Sequence, residues 1–385
     1  MKLVVFSHKQ VWKSDLSPIG YATDGGFAFH MKAISQLFES TTVVVPEKSN
    51  ANRQGEVQFS GNIKILPVKD IRATGLKRKM LYPFWLASNA VNFRKLIKDA
   101  DAVHVPIPSD MGTIPMVMAK VMGKPLFVRH CGNWYVQATA AEQFWKWFME
   151  KYAGGLNVML TTGGSSLPPS EINPNIKWIF STSLWDEEII ALKDHSRKLD
   201  RQKVKLIIVC RQEVEKGTGR VIEALNLLKG ETLNFQLSVV GDGPALGTFK
   251  ALVQNLGLSD RVTFHGKLDH DGVIELLKAS HVFVYPTTAS EGFPKVVLEA
   301  LASGLPVIST PVSVIPELLK SGAGVVIKNT SPASIAESIM AVISTNDDYD
   351  TMQQVAKNTA GQYSLEKWRD NIGSHLKSAW GNRWK

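Results

Sequence analysis

Short runs of Val, Ile and other apolar residues alternate along this chain with stretches whose apolar positions recur every three or four residues. The runs predict buried strands and the wider spacing predicts amphipathic helices. In the first half the predicted strands are 2–7, 41–46, 63–68, 102–106, 125–129, 158–161 and 176–180, and the predicted helices 26–38, 85–98, 112–122 and 140–152. The second half repeats the alternation more cleanly, with strands at 204–210, 235–241, 261–265, 282–286, 306–309 and 324–327. Its predicted helices are 218–228, 245–255, 272–278, 295–302, 315–320 and 332–343. Apolar strands separated by helices make parallel sheets covered on both faces. Two such sets predict an α/β protein of two Rossmann-like, doubly wound domains facing across a cleft, with ligands beyond the strand C-termini. The expected division is 1–185, a polar linker with a short helix at 186–203, a second domain at 204–365 and a helical tail at 366–385 that packs back on the first domain.

Composition narrows the class. The 385 residues are 44% hydrophobic and 21% charged, which suits a water-soluble fold, and no apolar run approaches the length of a membrane helix. The expectation is a cytoplasmic protein: no secretory apolar segment follows Met1, and Cys131 and Cys210 lie too far apart in sequence to suggest a disulfide framework. The net charge of +9 is carried by the first half. Residues 1–180 hold 21 basic and 12 acidic side chains, whereas 181–385 hold 23 of each. A basic first half points to an anionic surface or substrate.

The chemistry gathers where strands are predicted to end. Residues 289–304 run Ala-Ser-Glu-Gly-Phe-Pro-Lys-Val-Val-Leu-Glu-Ala-Leu-Ala-Ser-Gly, with Glu291 and Glu299 on either side of a Gly-Phe-Pro turn. Pro294 suits the first position of a helix, and Phe293 before it cannot cap the N–H groups of Lys295, Val296 and Val297. Such a helix start is a seat for phosphate, with the carboxylates better suited to hydroxyls of a ribose or sugar. By spacing alone the segment equally fits a strand-turn-helix with two solvated glutamates. Arg211 and Lys216 follow the strand at 204–210 and could hold a diphosphate and stabilise it as it leaves. The same loop also fits cations paired with Glu213 and Glu215. Gly25-Gly26 precede the helix bearing His30, and His130 follows the strand at 125–129. The glycines also fit a flexible loop, and His130 a structural role. The turn Gly241-Asp242-Gly243-Pro244 approximates a dinucleotide fingerprint, but proline interrupts it and it follows the second strand of its domain rather than the first. No Walker A motif, metal-ligand spacing or Gly-x-Ser-x-Gly elbow occurs.

Together these residues resemble a retaining glycosyltransferase of the GT4 family (glycosyltransferase group 1), which has the two-domain GT-B fold. The resemblance covers nearly the whole chain and is strongest over 206–328. It rests on Glu291-x7-Glu299 with Gly-Phe-Pro inside it, Arg211…Lys216-Gly217, Gly241-Asp242-Gly243-Pro244, Phe264-His265-Gly266, and, in the first half, Gly25-Gly26 with His30. It implies that Arg211 and Lys216 bind the donor diphosphate, that Glu291 meets the transferred sugar, and that His130 lies near the reacting centre. It also implies donor contacts from Gly25, Gly26, Gly243 and the segment Gly292, Phe293, Pro294, Lys295, Val296, Val297, with Glu299 on the ribose. No metal and no cofactor are expected beyond the nucleotide-diphosphate sugar, which is a co-substrate. Pro294-Lys295 after Gly-Phe departs from a common pattern, as does Arg129-His130-Cys131-Gly132-Asn133-Trp134, which leaves the role of His130 open.

In this family the first domain binds the acceptor. Here it carries Leu76-Lys77-Arg78-Lys79-Met80-Leu81-Tyr82-Pro83-Phe84-Trp85-Leu86 and Phe144-Trp145-Lys146-Trp147-Phe148. Cations beside aromatics suit a membrane interface, so the expectation is peripheral attachment to the inner leaflet and a glycan, lipid-linked or small-molecule acceptor in envelope or exopolysaccharide synthesis. The other reading is core aromatics with solvated lysines. Two rival functions remain: a nucleotide-sugar 2-epimerase on the same fold, and a non-enzymatic basic binding protein. No nucleic-acid-binding module is apparent.

Overall fold

The computed structural model describes residues 1–384 apart from 49–55, 72, 74, 166, 196 and 231–232, and says nothing of the side chains at 76, 79 and 382. It divides into two compact units, Met1–Ile179 with Trp368–Lys385, and Phe180–Lys367.

In the first unit the elements run β1 (Lys2–Phe6), β2 (Val11–Lys13), β3 (Tyr21–Asp24), α1 (Phe27–Ser35), β4 (Ser40–Glu47), β5 (Glu56–Gln58) and β6 (Ile63–Lys69). They continue with α2 (Gly75–Asp99), β7 (Ala102–Ile107), α3 (Asp110–Val121), β8 (Leu126–His130), α4 (Ala140–Tyr152), β9 (Asn157–Thr162) and β10 (Lys177–Ile179). The parallel body has the order β6-β4-β1-β7-β8-β9-β10, so the winding reverses between β1 and β7. Every residue of β7 and β9 is buried, as strands covered on both faces require.

The sheet is not purely parallel. β2, β3 and β5 add antiparallel pairs at its edge, with Trp12 opposite Ala22 and Thr23 opposite Val57. These strands are three or four residues long, too short for the sequence pattern to reveal them. α2 begins at Gly75, ten residues before the predicted start, and carries Pro83 inside it. The basic-aromatic cluster is therefore helical. The aromatics of α4 divide: Trp145 and Phe148 enter the core with Phe93, Val105 and Met149, whereas Trp147 is 48% exposed.

The second unit runs α5 (Asp186–Lys193), β11 (Val204–Val209), α6 (Thr218–Leu227), β12 (Phe235–Val240), α7 (Leu246–Asn255), β13 (Val262–Gly266), α8 (His270–Ala279) and β14 (Val282–Tyr285). There follow α9 (Lys295–Ala302), β15 (Val307–Ser309), α10 (Ile315–Leu319), β16 (Gly324–Val326), α11 (Pro332–Val342) and α12 (Asn346–Ala360). α13 (Leu365–Trp380) leaves this unit after Lys367 and continues in the first. All six strands pair in parallel in the order β13-β12-β11-β14-β15-β16, the doubly wound order, with its switch point between β11 and β14. Alternate residues serve opposite faces: Leu206 and Ile208 pack with Val282 and Val284 in one core, and Ile207 with Phe283 and Tyr285 in the other.

Residues 180–203 are built into this unit rather than strung before it. α5 buries Ile189 and Leu192 in the second of those cores, and Arg197 donates to the Ser303 carbonyl at 2.6 Å. The tail from Trp368 onward belongs to the first unit. There the fully buried Trp368 stacks on His30 at 4.6 Å, with the Arg129 guanidinium 4.9 Å from its ring centre.

Candidate functional site

The switch point of the second unit gathers the predicted site residues from two loops. The loop after β11 carries Arg211 and Lys216. Its shape is set by Gln212, whose fully buried side-chain amide donates to the carbonyls of Cys210 and Val240, both at 3.0 Å, and accepts from the Thr218 hydroxyl at 2.8 Å. The Gln212 backbone accepts from Ala245 N at 2.9 Å, which ties this loop to the turn holding Gly243. A Cβ on Gly243 would stand 2.5 Å from the Gln212 carbonyl oxygen, so only glycine permits that approach. Gly217 closes the loop at φ +89° and opens α6.

The loop after β14 brings Glu291 to Lys216. The Lys216 ammonium donates to Glu291 Oε1, and the Tyr285 hydroxyl donates to the same oxygen at 2.7 Å. The side chains of Lys216 and Glu291 are 15% and 17% exposed, so little water screens the pair. Burial, reinforced by the Glu291 carboxylate, holds the Tyr285 phenol well above its ordinary pKa and keeps it a donor. Gly292 is anchored by the Ser313 hydroxyl, which donates to its carbonyl at 2.5 Å. Ser313 has φ +54°, the left-handed region that a side chain enters at a cost, and is the one non-glycine residue there among the described residues.

Pro294 is the N-cap of α9 and not its first helical residue. Its φ of −78° is proline's own, but its ψ of 94° is extended, so the helix starts at Lys295. The cap offers no side-chain hydrogen bond, as expected, yet the Val297 N–H is taken by the Pro294 carbonyl at 3.0 Å. The amides facing a ligand are thus fewer than the sequence suggested. Phe293 packs with Phe180 and Tyr363. Glu299, one turn into α9, accepts a hydrogen bond from the Ser183 hydroxyl through Oε1. His270 Nδ1 lies 4.0 Å from that oxygen, and His270 Nε2 is 2.7 Å from Glu188. Burial opposes the imidazolium, but the Glu188 hydrogen bond and the Glu299 and Asp271 carboxylates prevail, so the His270 pKa is raised.

Arg211 does not join the Lys216–Glu291 pair. It is 69% exposed and sits 3.2 Å from Glu213, the alternative pairing open to it in the sequence. In the first unit, Gly25 turns at φ +64° with open space where a Cβ would stand, and Gly26 is the N-cap of α1. His130 ends β8, is 2% exposed and meets Trp134 edge to face at 5.4 Å. Burial pushes its pKa down to about 4, so it is a neutral imidazole at neutral pH.

Sequence reasoning passed over Gln212, Tyr285, Ser183 and His270. Tyr285 carried a signal, a polar tip ending an apolar strand. The other three gain their meaning from partners on other elements.

Residues 191–359 match the model of the family described as glycosyl transferases group 1. Alpha-D-kanosaminyltransferase of Streptomyces kanamyceticus is 24% identical over 313 residues, 75% of this chain and 79% of that protein. The amylovoran biosynthesis glycosyltransferase AmsK of Erwinia amylovora is 28% identical over 161 residues, 36% of this chain and 40% of its own. Among solved structures, HepE of Anabaena in complex with UDP and glucose superposes with a TM-score of 0.67 at 15% identity, over 98% of this chain and all of that one. At that identity the likeness speaks for the fold, which is GT-B. Residues 191–359 are thus similar to the group 1 glycosyltransferase domain, within a chain that has the GT-B fold along its length.

Proposed function

We propose that the protein is a retaining, metal-independent glycosyltransferase that moves a sugar from a nucleotide-diphosphate sugar to a hydroxyl of a glycan, lipid-linked or small-molecule acceptor in envelope or exopolysaccharide synthesis. The observation that carries this is the meeting of Lys216 and Glu291 at the switch point of the second unit, beside the start of α9. An ammonium has three donors, so Lys216 can hold Glu291 and still reach phosphate oxygens. Arg211, on the same loop and exposed, is available to a diphosphate. Glu299 takes the ribose hydroxyls, Glu291 the transferred sugar, and the backbone from Gly292 to Val296 the sugar and phosphate. Gly25, Gly26 and His130 keep the roles that the family resemblance gives them.

In the proposed reaction the acceptor oxygen attacks C1 of the donor sugar on the face from which the diphosphate departs. The bond from C1 to the diphosphate oxygen breaks and its electron pair goes to that oxygen. The acceptor proton passes to the same oxygen, so anomeric configuration is kept. Lys216 and Arg211 stabilise the charge that develops on the leaving group, the work a divalent cation would otherwise do. A thermal-shift panel of UDP-, GDP-, ADP- and TDP-sugars tests this, because a bound donor stabilises the folded state by mass action. Stabilisation by one of the panel, lost in Glu299→Ala and Lys216→Ala, is expected. Unchanged donor affinity in both variants defeats the reading.

A second observation favours attachment to an anionic membrane surface. On α2, Met80, Phe84 and Val91 are 67%, 75% and 79% exposed, and their spacing of four and seven puts them on one stripe. Exposed Lys77, Arg94, Lys95 and Lys98 flank or extend it. Among the described residues no helix is long and apolar enough to cross a membrane. Flotation with vesicles containing phosphatidylserine is expected at low salt and should fail with Phe84→Ser. Absence of binding by the unaltered protein sinks the membrane reading.

A further inference from the structure

The loop that brings Glu291 to Lys216 hangs from the neighbouring strand by side chains. β14 and β15 pair in parallel as far as Tyr285 and Ser309, where the main-chain register ends. From there three hydroxyls of β15 and the loop after it donate to carbonyls of β14 and its loop. Ser309 Oγ donates to the Tyr285 carbonyl at 2.7 Å, Thr310 Oγ1 to that of Thr287 at 2.5 Å and Ser313 Oγ to that of Gly292 at 2.5 Å. Thr310 is buried, so loss of its hydroxyl would take from the Thr287 carbonyl a partner that water does not readily replace. On its other side the loop is tied to the Glu215 carbonyl, which accepts from Thr288 N at 2.8 Å and Thr288 Oγ1 at 3.2 Å.

Ser313 makes its contact at a cost in the backbone. At φ +54° it occupies the left-handed region, where glycine would sit freely. The turn around it is closed on both sides: Val312 N donates to the Thr310 carbonyl at 2.8 Å, and Ile315 N to the Val312 carbonyl at 3.2 Å. Strain of this kind persists where the surroundings over-determine it, and it gathers at functional sites. What serine supplies here, and glycine could not, is the bond to Gly292, the residue next to Glu291. Lys216 owes its place to other groups. Its loop is shaped by the Gln212 amide, bonded to the carbonyls of Cys210 and Val240 at the ends of β11 and β12. The cation and the carboxylate of the site therefore have separate supports.

We propose that Thr310 and Ser313 are positioning residues for the sugar half of the donor. They act through the loop, fixing Glu291 and Gly292 where the transferred sugar meets them, and leave the diphosphate to Lys216 and Arg211. The inference rests on the glycosyltransferase reading and adds to it the side chains that set the grip on the sugar.

Titration calorimetry on the full chain tests it, with the glucose diphosphates of uridine, guanosine, adenosine and thymidine and the free nucleoside diphosphates as probes. Ser313→Gly relieves the backbone and removes the hydroxyl. It should melt no lower than the unaltered protein yet bind the sugar-bearing probe about fivefold more weakly, the factor carried by one neutral hydrogen bond, with the matching diphosphate changed by less than about twofold. Thr310→Val should weaken the sugar-bearing probe by about the same factor, and Thr310→Ser, which keeps the hydroxyl, should restore it. Unchanged affinity for the sugar-bearing probe in Ser313→Gly and Thr310→Val overturns the proposal. So does an equal loss for the free diphosphate, the mark of a general loosening, or a failure of Thr310→Ser to restore binding. In each of those outcomes the donor reading stands. If no probe binds the unaltered protein, the donor reading itself falls and takes this proposal with it.

Discussion

The ammonium of Lys216 and the carboxylate of Glu291 meet across 75 positions of sequence, from loops that follow the first and fourth strands of a doubly wound sheet. The strand order puts β11 beside β14, so two loops distant in the chain share one edge. Tyr285 at the end of β14 donates to the same Glu291 oxygen and holds it toward Lys216.

Lys216→Ala should reduce donor affinity by at least about tenfold, since hydrogen bonds to charged groups contribute about 1.5–3 kcal/mol. Tyr285→Phe, which keeps the ring and the Lys216 contact, should have a smaller effect. Titration calorimetry with the stabilising nucleotide sugar measures both, and an equal loss in the two variants would contradict the ranking.

Gly217 stands at φ +89°, and a Cβ there would lie 2.7 Å from the Pro286 carbonyl oxygen. Gly217→Ala should cost at least about 2 kcal/mol, combining the left-handed backbone with a clash against main chain. Gly247→Ala, in α7 with open space around it, should instead stabilise by about 0.5–1 kcal/mol. Urea unfolding of the two variants provides the comparison.

Acidification should destabilise the fold. Burial lowers His104 to about 3, and His130 and His281 to about 4, from an ordinary value of 6.5. The unfolded chain therefore takes up these protons first, and stability falls as pH drops from about 6.5 toward about 4. Urea midpoints at pH 7 and pH 5 should differ in that direction. His104→Leu should narrow the difference even where its absolute stability is lower.

His270 works in the opposite sense. Its folded pKa is raised, so its contribution is fully present below 6.5 and is lost as pH rises through the folded value. His270→Gln should therefore lose less stability than the unaltered protein between pH 6 and pH 8, measured by thermal unfolding. An identical loss would mean that the charged imidazole contributes nothing to the fold.

Periodicity and loop position were enough to read two α/β units, the second sheet's strands and the loops bearing Arg211, Lys216, Glu291 and Glu299. They are local properties: burial shows itself within a few residues, and glycine and proline mark where strands stop. The antiparallel edge of the first sheet escaped because its strands are shorter than a readable pattern. Pro294 was misplaced by one residue because proline's fixed φ suits both a cap and a first helical position, and ψ alone separates them.

What the sequence determined by itself is the repertoire: which segments bury, which residue types stand at strand ends, and the basic character of the first half. Partner choice was decided only in three dimensions. The structure paired Lys216 with Glu291 and left Arg211 with Glu213, drew Trp145 and Phe148 into the core, and joined Asp70, Arg78 and Asp110 in one hydrogen-bonded network. The reason is physical. A side chain's tendency to be buried or charged belongs to the residue, but the group it meets is set by which strands neighbour one another, and that order follows from the packing of the whole sheet.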